Sequence, residues 1–185
     1  MASAWKKRLI PMSDLMTLHE KLKENGKKIV FTAGSWDLLH VGQCRYLEEA
    51  KAKGDILVVG VSSNDAIRRV KGPNKPILDE KIRAEMLTFL RAVDFVTILP
   101  EPSCQPSLGL LKPDIFITVK EEWASDYKNS KEFKTVSKYG GEVIVVDRQS
   151  TALSTTKIVQ RAIGGELGNI FKDFMELRKD PLKER

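Results

Sequence analysis

The sequence predicts an α/β fold, a doubly wound and mainly parallel sheet of five strands flanked by helices. Three observations predict it. Short apolar β-type runs alternate with helical patterns along the chain. One run, Ile56 to Val61, is apolar throughout, as in a strand buried on both faces of a parallel sheet. No linker or repeat divides the 185 residues, so the chain reads as one domain, 1–185.

Each element has its own signal. Ser13-Asp14 precede Leu15, Leu18 and Leu22 at helical spacing, and Asn25-Gly26 stop the pattern, which predicts a helix over 14–24 with His19 on its surface. Ile29 to Thr32 form the first strand. Val41 to Ala52 read as a helix with Leu47 and Ala50 inward and Gly54 as its stop. Ile56 to Val61 make the second strand and Asn64 to Val70 a short helix. Lys71-Gly72-Pro73-Asn74-Lys75-Pro76 is a loop, because a glycine and two prolines break regular structure. Asp79 to Leu90 follow as a helix with Ile82, Met86, Leu87 and Leu90 inward. Strands at 95–99 and 115–119 flank a short helix at 106–111. Ser130 to Lys138 are helical, Gly140-Gly141 turn, and Glu142 to Val146 are the last strand. Ser154 to Ile163 start a helix, and a separate charged helix runs from about 168 to 180, before Pro181. The core is expected over 27–163, in a Rossmann-like arrangement whose ligands bind beyond the carboxyl ends of the strands.

Composition narrows the function. Hydrophobic residues at 42% and charged residues at 30% are those of an ordinary soluble globule. The formal charge of +6 fits an anionic ligand. No arginine-rich arm or aromatic-interleaved basic stripe points to nucleic acid. Cys44 and Cys104 are far apart, which argues against a disulfide framework or a zinc site and makes Cys44 a small buried hydrophobe. No signal-peptide pattern opens the chain and no apolar run is long enough for a membrane, so the expected location is the cytoplasm. There is no GxxxxGK[ST] loop for a P-loop enzyme, no GxGxxG after the first strand for a dinucleotide enzyme and no GxSxG elbow for a hydrolase.

The segment KIVFTAGSWDLLHVGQCRYLEEA, Lys28 to Ala50, carries the most chemistry. A strand enters a short loop with Gly34 and Asp37, then His40 and Gly42 open a helix. Backbone N–H groups at a helix start have no partner within the helix and carry partial positive charge, which suits phosphate. Gly42 admits close approach to the backbone. His40, one of only two histidines, can donate a hydrogen bond to a phosphoryl oxygen.

This loop resembles the HxGH signature of the nucleotidyltransferase superfamily, and Leu153-Ser154-Thr155-Thr156-Lys157-Ile158 is similar to its ISTTKI partner. Arg69-Val70-Lys71-Gly72, with Lys75-Pro76 and Arg83, resembles the superfamily's lysine-glycine loop, proline and helix arginine. The likeness runs from about Lys27 to Ile163. Within the superfamily, GKKIVFTAGSWDLLHVG, RRVKG, AVDFV and PDIFITVK are most similar to the heptose 1-phosphate adenylyltransferases. Glycerol-3-phosphate cytidylyltransferases and archaeal FAD synthetases share the same skeleton. The chain departs from the pattern at Gln43, where the second motif histidine stands, at Ala33, Ser35 and Trp36 in the first loop, and at Glu121-Glu122-Trp123.

The resemblance implies transfer of AMP from ATP, or CMP from CTP, to a phosphorylated small-molecule acceptor, with Mg²⁺ carried mainly by the triphosphate. It also implies a homodimer or larger homo-oligomer. His40, Gln43, Lys71, Ser154 and Thr155 would be catalytic. The nucleotide would lie against Thr32, Ala33, Gly34, Ser35, Trp36, His40, Gly42, Gln43, Arg83, Lys120 and the Ser154-Thr155-Thr156 helix start. Asp37, Lys71 and Trp123 would meet the acceptor. Plainer readings stand beside these. Ser154 is also an ordinary N-cap. Lys71 is also a solvated loop lysine, and Arg83 a surface partner of Asp79 or Glu80. Asp37 holds its loop by an Asx-type bond, or orients His40 or a metal-bound water. Trp36 stacks on ligand or sits in the core. Arg148 lies where some relatives carry a phosphate-binding arginine. Gln43 keeps an N–H donor but no charge, which implies a slowed or re-tuned enzyme, or a nucleotide-binding protein with weakened catalysis.

Overall fold

Where the chain buries its apolar runs sets the order of the strands. The computed structural model describes residues 4–120, 127–147 and 154–178. The chain forms two units, Met1–Ser150 and Thr151–Arg185. In the first, β1 (Ile29–Gly34), β2 (Ile56–Ser62), β3 (Phe95–Leu99), β4 (Ile115–Val119) and β5 (Glu142–Val146) make one parallel sheet in the order β3-β2-β1-β4-β5. Helices α1 (Leu15–Glu24), α2 (Val41–Lys51), α3 (Asn64–Lys71), α4 (Glu80–Thr88), α5 (Gln105–Leu111) and α6 (Lys131–Lys138) connect and cover it.

The period of two along each strand divides the core. Val30, Leu57, Val59, Ile115 and Ile117 pack with Leu47 and Ala50 of α2 and with Ala84 and Leu87 of α4. Ile29, Phe31, Val58 and Phe116 point the other way, against Leu15 and Leu22 of α1, Leu108 and Leu111 of α5 and Val136 of α6. Helices on both faces make the sheet doubly wound, as the alternating pattern predicts. At Gly60 in β2, an added Cβ would lie 2.7 Å from Leu99 Cδ1 and 3.0 Å from Phe31 Cζ, so the sheet packs tightly there.

One device recurs at the amino ends of the strands. An aspartate stands immediately before β2, β3 and β4, and its carboxylate accepts a backbone N–H from the neighbouring strand's start. Asp55 takes Lys28 N at 2.8 Å, Asp94 takes Leu57 N at 2.7 Å and Asp114 takes Ile29 N at 2.7 Å. Two lysines neutralise this edge, with Lys51 2.6 Å from Asp94 and Lys23 2.5 Å from Asp114. Residues before α1 cover the outer strand. Leu9 bridges to Val96, Ile10 N donates to Val96 O at 2.8 Å, and Arg8 Nη1 donates to Thr88 O at 2.9 Å.

Four expectations change. α4 is rotated from the face predicted for it: Ile82 is 50% exposed and Met86 is exposed, while Arg83, Ala84, Leu87 and Thr88 face inward. Leu90 is half-buried beyond the helix end. Cys44 and His19 are half-buried, the first less buried than expected and the second more. In the second unit, the two helices expected from 154 and 168 are one, α7 (Thr155–Arg178). Gly164, Gly165 and Gly168 weaken a helix by about 1 kcal/mol each but keep their N–H donors, so they do not interrupt it as a proline would. No helix among the described residues is long and apolar enough to cross a membrane.

Candidate active site

The strand order reverses between β1 and β4, and there the carboxyl ends of two neighbouring strands send their chains in opposite directions. Such a switch point leaves a crevice for ligand. The loop after β1 sits on it. Trp36 and Leu38 both hold left-handed backbone, with φ of 53° and 46°. Such conformations cost a side-chain-bearing residue about 1–3 kcal/mol each and persist only where the surroundings fix them. Three successive residues are fixed. Arg83 Nη1 donates to Ser35 O. Trp36 Nε1 donates to Gly60 O at 2.9 Å. The Asp37 carboxylate accepts Ile77 N at 2.8 Å and Leu78 N at 3.0 Å.

Asp37 therefore holds its loop from a distance, forty residues along the chain, where a local Asx bond was one expectation. Trp36 is a core aromatic: its indole is buried, its ring lies 6.0 Å from that of Tyr46, and its edge covers Gly34. Ala33 and Gly34, half-buried, end β1 opposite Gly60 and Val61.

Arg83 lies beneath the rim, 1% exposed. Besides Ser35 O it donates from Nε to Leu78 O and from Nη2 to Asn64 Oδ1, each at 2.9 Å. Burial pushes the guanidinium below its ordinary pKa, while Asp37, Glu80 and Asp79 pull the other way. The guanidinium thus joins the β1 loop, the start of α3 and the start of α4. It touches no solvent-facing position of the kind a surface pair with Asp79 or Glu80 would need.

His40 is the N-cap of α2, with extended backbone at φ −134° and ψ 166°. Gln43 Oε1 accepts the His40 N–H at 3.0 Å, the backward half of a capping box. Gln43 is therefore a helix-start residue as well as a neighbour of the β1 loop. Gly42, in the first turn, is buried. Burial pushes the Cys44 thiol above its ordinary 9.0, against a backbone hydrogen bond, which leaves it a poor nucleophile.

α3 starts at Ser63, whose hydroxyl accepts Ala66 N at 3.1 Å, and ends at Gly72 with φ of 90°. This carries Lys71 across the rim, where Nζ donates to Ser35 Oγ at 2.8 Å. Lys71 is exposed, so the ammonium remains open to an anion beside the β1 loop. Lys120 is exposed directly after β4. Trp123 and Arg148 lie outside the described residues.

Thr32 is fully buried, and its hydroxyl lies 2.7 Å from the Tyr46 hydroxyl, which donates to Ile117 O at 2.9 Å. Tyr46 and Asn64 are residues the sequence reading passed over. In the second unit, Ser154 Oγ accepts Lys157 N at 3.2 Å and Ser154 O accepts Ile158 N at 2.9 Å, so Ser154 caps α7 and keeps its own proton to donate. Thr155 and Thr156 follow in the first turn. Among the described residues no three His, Cys, Asp or Glu side chains cluster as metal ligands.

The cytidylyltransferase-like family model matches residues 31–161. The bifunctional protein HldE of Geobacter metallireducens is 39% identical over 158 residues, 84% of this chain and 31% of that protein. HldE of Syntrophotalea carbinolica is 37% identical over 141 residues, 76% of this chain and 28% of that protein. The chain thus spans less than a third of the length of these curated relatives. The crystal structure of a lipopolysaccharide core biosynthesis protein from Thermoplasma volcanium is similar with a TM-score of 0.56 and 29% identity, over 66% of this chain and 97% of that one. Pantoate-beta-alanine ligase from Francisella tularensis shares the fold, with a TM-score of 0.52 at 17% identity over 96% of this chain and 81% of that one. With the β1 loop, the α2 start and the lysine loop on one rim of a parallel sheet, and a family match across most of the chain, this protein belongs to the cytidylyltransferase-like family of nucleotidyltransferases.

Proposed function

We propose that the protein transfers AMP from ATP to a sugar 1-phosphate of the heptose 1-phosphate kind and releases pyrophosphate. An acceptor phosphate oxygen forms a bond to the α-phosphorus. The bond from that phosphorus to the bridging oxygen of the β-phosphate breaks, and pyrophosphate leaves with the electron pair. The attacking oxygen is already anionic, so the protein needs to position the groups and offset charge more than to remove a proton. The observation that carries this reading is the contact of Lys71 with Ser35. It sets a cation for the acceptor phosphate beside the loop and helix start suited to the triphosphate. The choice of an adenylyl donor and a heptose phosphate acceptor rests on the resemblance to the heptose 1-phosphate adenylyltransferases, and the similarity to the bifunctional HldE proteins supports a nucleotidyltransferase.

In this scheme His40 donates to an α-phosphoryl oxygen and the first N–H groups of α2 face the phosphates. In the second unit, Ser154, Thr155 and Thr156 offer hydroxyl and amide donors of the kind that suits phosphate. Arg83, Trp36 and Thr32 hold the loop from below, and Asp37 serves the acceptor side by fixing the Ile77-Leu78 backbone. In this scheme Mg²⁺ arrives on the triphosphate, held by phosphate oxygens and water.

Pyrophosphate release tests the proposal. The protein is incubated with ATP or CTP, Mg²⁺ and one of heptose 1-phosphate, glycerol 3-phosphate or flavin mononucleotide. Release is expected only with ATP and the sugar phosphate. Release with CTP and glycerol 3-phosphate, or with ATP and the flavin, would replace the substrate assignment. Nucleotide binding without release from any pair would leave a binding protein in place of an enzyme.

A further inference from the structure

The ladder between β1 and β4 stops early. β1 pairs with β2 along its whole length, from Ile29 opposite Ile56 to Gly34 opposite Val61. β4 pairs with β5 to its end, Val119 opposite Val146. Between β1 and β4 the pairing covers only Val30 with Ile115 and Phe31 with Phe116. Each strand continues for three more residues beyond that point, at the carboxyl ends where the crevice lies. Continuing the register, the next pair is Thr32 with Ile117. Those are the two residues the Tyr46 hydroxyl touches, at 2.7 Å to Thr32 Oγ1 and 2.9 Å to Ile117 O. A phenol has one proton, which goes to the Ile117 carbonyl, so the threonine hydroxyl is the donor to the tyrosine oxygen.

We propose that Tyr46 is a positioning residue of the nucleotide site, a spacer whose hydroxyl occupies the first open register position and keeps β1 and β4 apart. This rests on the function proposed above. The inserted hydroxyl satisfies a carbonyl that a continued ladder would otherwise claim, so the split carries no orphaned acceptor at that position. Tyr46 lies six residues after His40 on the same helix, so the anchor also fixes where the α2 start sits over the gap. The ring is held by contact with Trp36, whose indole nitrogen is bonded to Gly60 O. Its hydroxyl end is thereby aimed at the split rather than free to turn away.

The test is Tyr46→Phe in the full chain, which keeps the ring and removes the hydroxyl. ATP with Mg²⁺ is titrated by calorimetry, and NMR cross-strand contacts report whether Thr32 and Ile117 come together. The expected result is closer approach of these residues and ATP binding weakened about tenfold, the scale of one lost buried hydrogen-bond partner. Thr32→Val is the second variant and guards against a folding defect in the first. It keeps the bond from Tyr46 to Ile117 and is expected to leave the gap between β1 and β4 as wide as in wild type by the same NMR contacts. An unchanged gap in Tyr46→Phe overturns the spacer. A narrowed gap with unaltered ATP binding overturns its role in the site, and a gap narrowed by Thr32→Val as much as by Tyr46→Phe overturns the spacer. If the variants lose affinity only through general loosening, Asp94→Asn at the opposite edge will weaken ATP equally, and the proposal fails. Wild-type protein that binds no ATP removes the proposed function and this inference together, whereas wild-type binding that Tyr46→Phe leaves intact removes only the inference.

Discussion

At the scale of single residues, the rim separates groups that are open to ligand from groups engaged below it. Lys71 is open and beside Ser35. Lys71→Ala is expected to raise the KM of the acceptor at least tenfold while that of ATP changes much less, a split read from initial rates with each substrate varied. Equal effects on both would place the lysine on the triphosphate instead. Gln43 has two duties that can be told apart. Its carbonyl oxygen serves the His40 N–H, and its position is where the superfamily's second histidine stands. Gln43→His is therefore expected to raise kcat by restoring a chargeable donor, yet to lower thermal stability by about 0.5–2 kcal/mol, the usual worth of a helix-start bond. A variant with unchanged turnover would show that this position does not limit the reaction.

At the scale of elements, the apolar runs told most of the story. β3, β4 and β5 fall on the residues expected from their sequence, because a continuous Val/Ile-rich run between turn signals has few other places to go. α4 shows what a pattern misses. Ile82, Met86, Leu87 and Leu90 read as the inward stripe in the sequence, but the helix turns Arg83 inward and Ile82 and Met86 out, because Ser35 O, Leu78 O and Asn64 Oδ1 wait there for the guanidinium's donors. No spacing rule reports that demand, since the partners come from three separate segments. The distant bonds of Asp37 and the placement of Tyr46 were hidden for the same reason. Trp123 and Arg148 carry expectations that fall outside the described residues. α7 erred in the other direction: glycines that read as an interruption only lower helix stability. Gly164→Ala and Gly165→Ala are each expected to add about 1 kcal/mol to it. Among the described residues, nothing lies within 4 Å of either added methyl. Circular dichroism of the full chain on heating should show a later loss of helix signal in both variants, and an earlier loss would mean the glycines are needed for their backbone freedom.

At the scale of the whole molecule, the two edges of the sheet do different work. Carboxylates at the amino edge tie neighbouring strands, and the carboxyl edge carries the loops of the candidate site. This gives stability a pH dependence. Burial pushes the Asp114 carboxyl up, but Lys23 and the Ile29 N–H outweigh it and hold it below the ordinary 3.8. A carboxyl depressed in the folded state stabilises fully above its unfolded pKa, and the contribution fades as pH falls through the folded one. Urea midpoints are expected to be flat near neutrality and to fall below about pH 4, with Asp114→Asn less stable at pH 7 but less sensitive to acid. Equal acid sensitivity in the two proteins would move the effect to other carboxylates.

The left-handed turn at Trp36 and Leu38 has one more consequence. Because the Ser35 carbonyl, the Trp36 indole and the Asp37 carboxylate are already tethered before any substrate arrives, the loop has little room to rearrange on meeting one. Recognition at this end of the cleft is then a matter of docking onto a finished mould, and the entropy of shaping it was spent when the chain first folded.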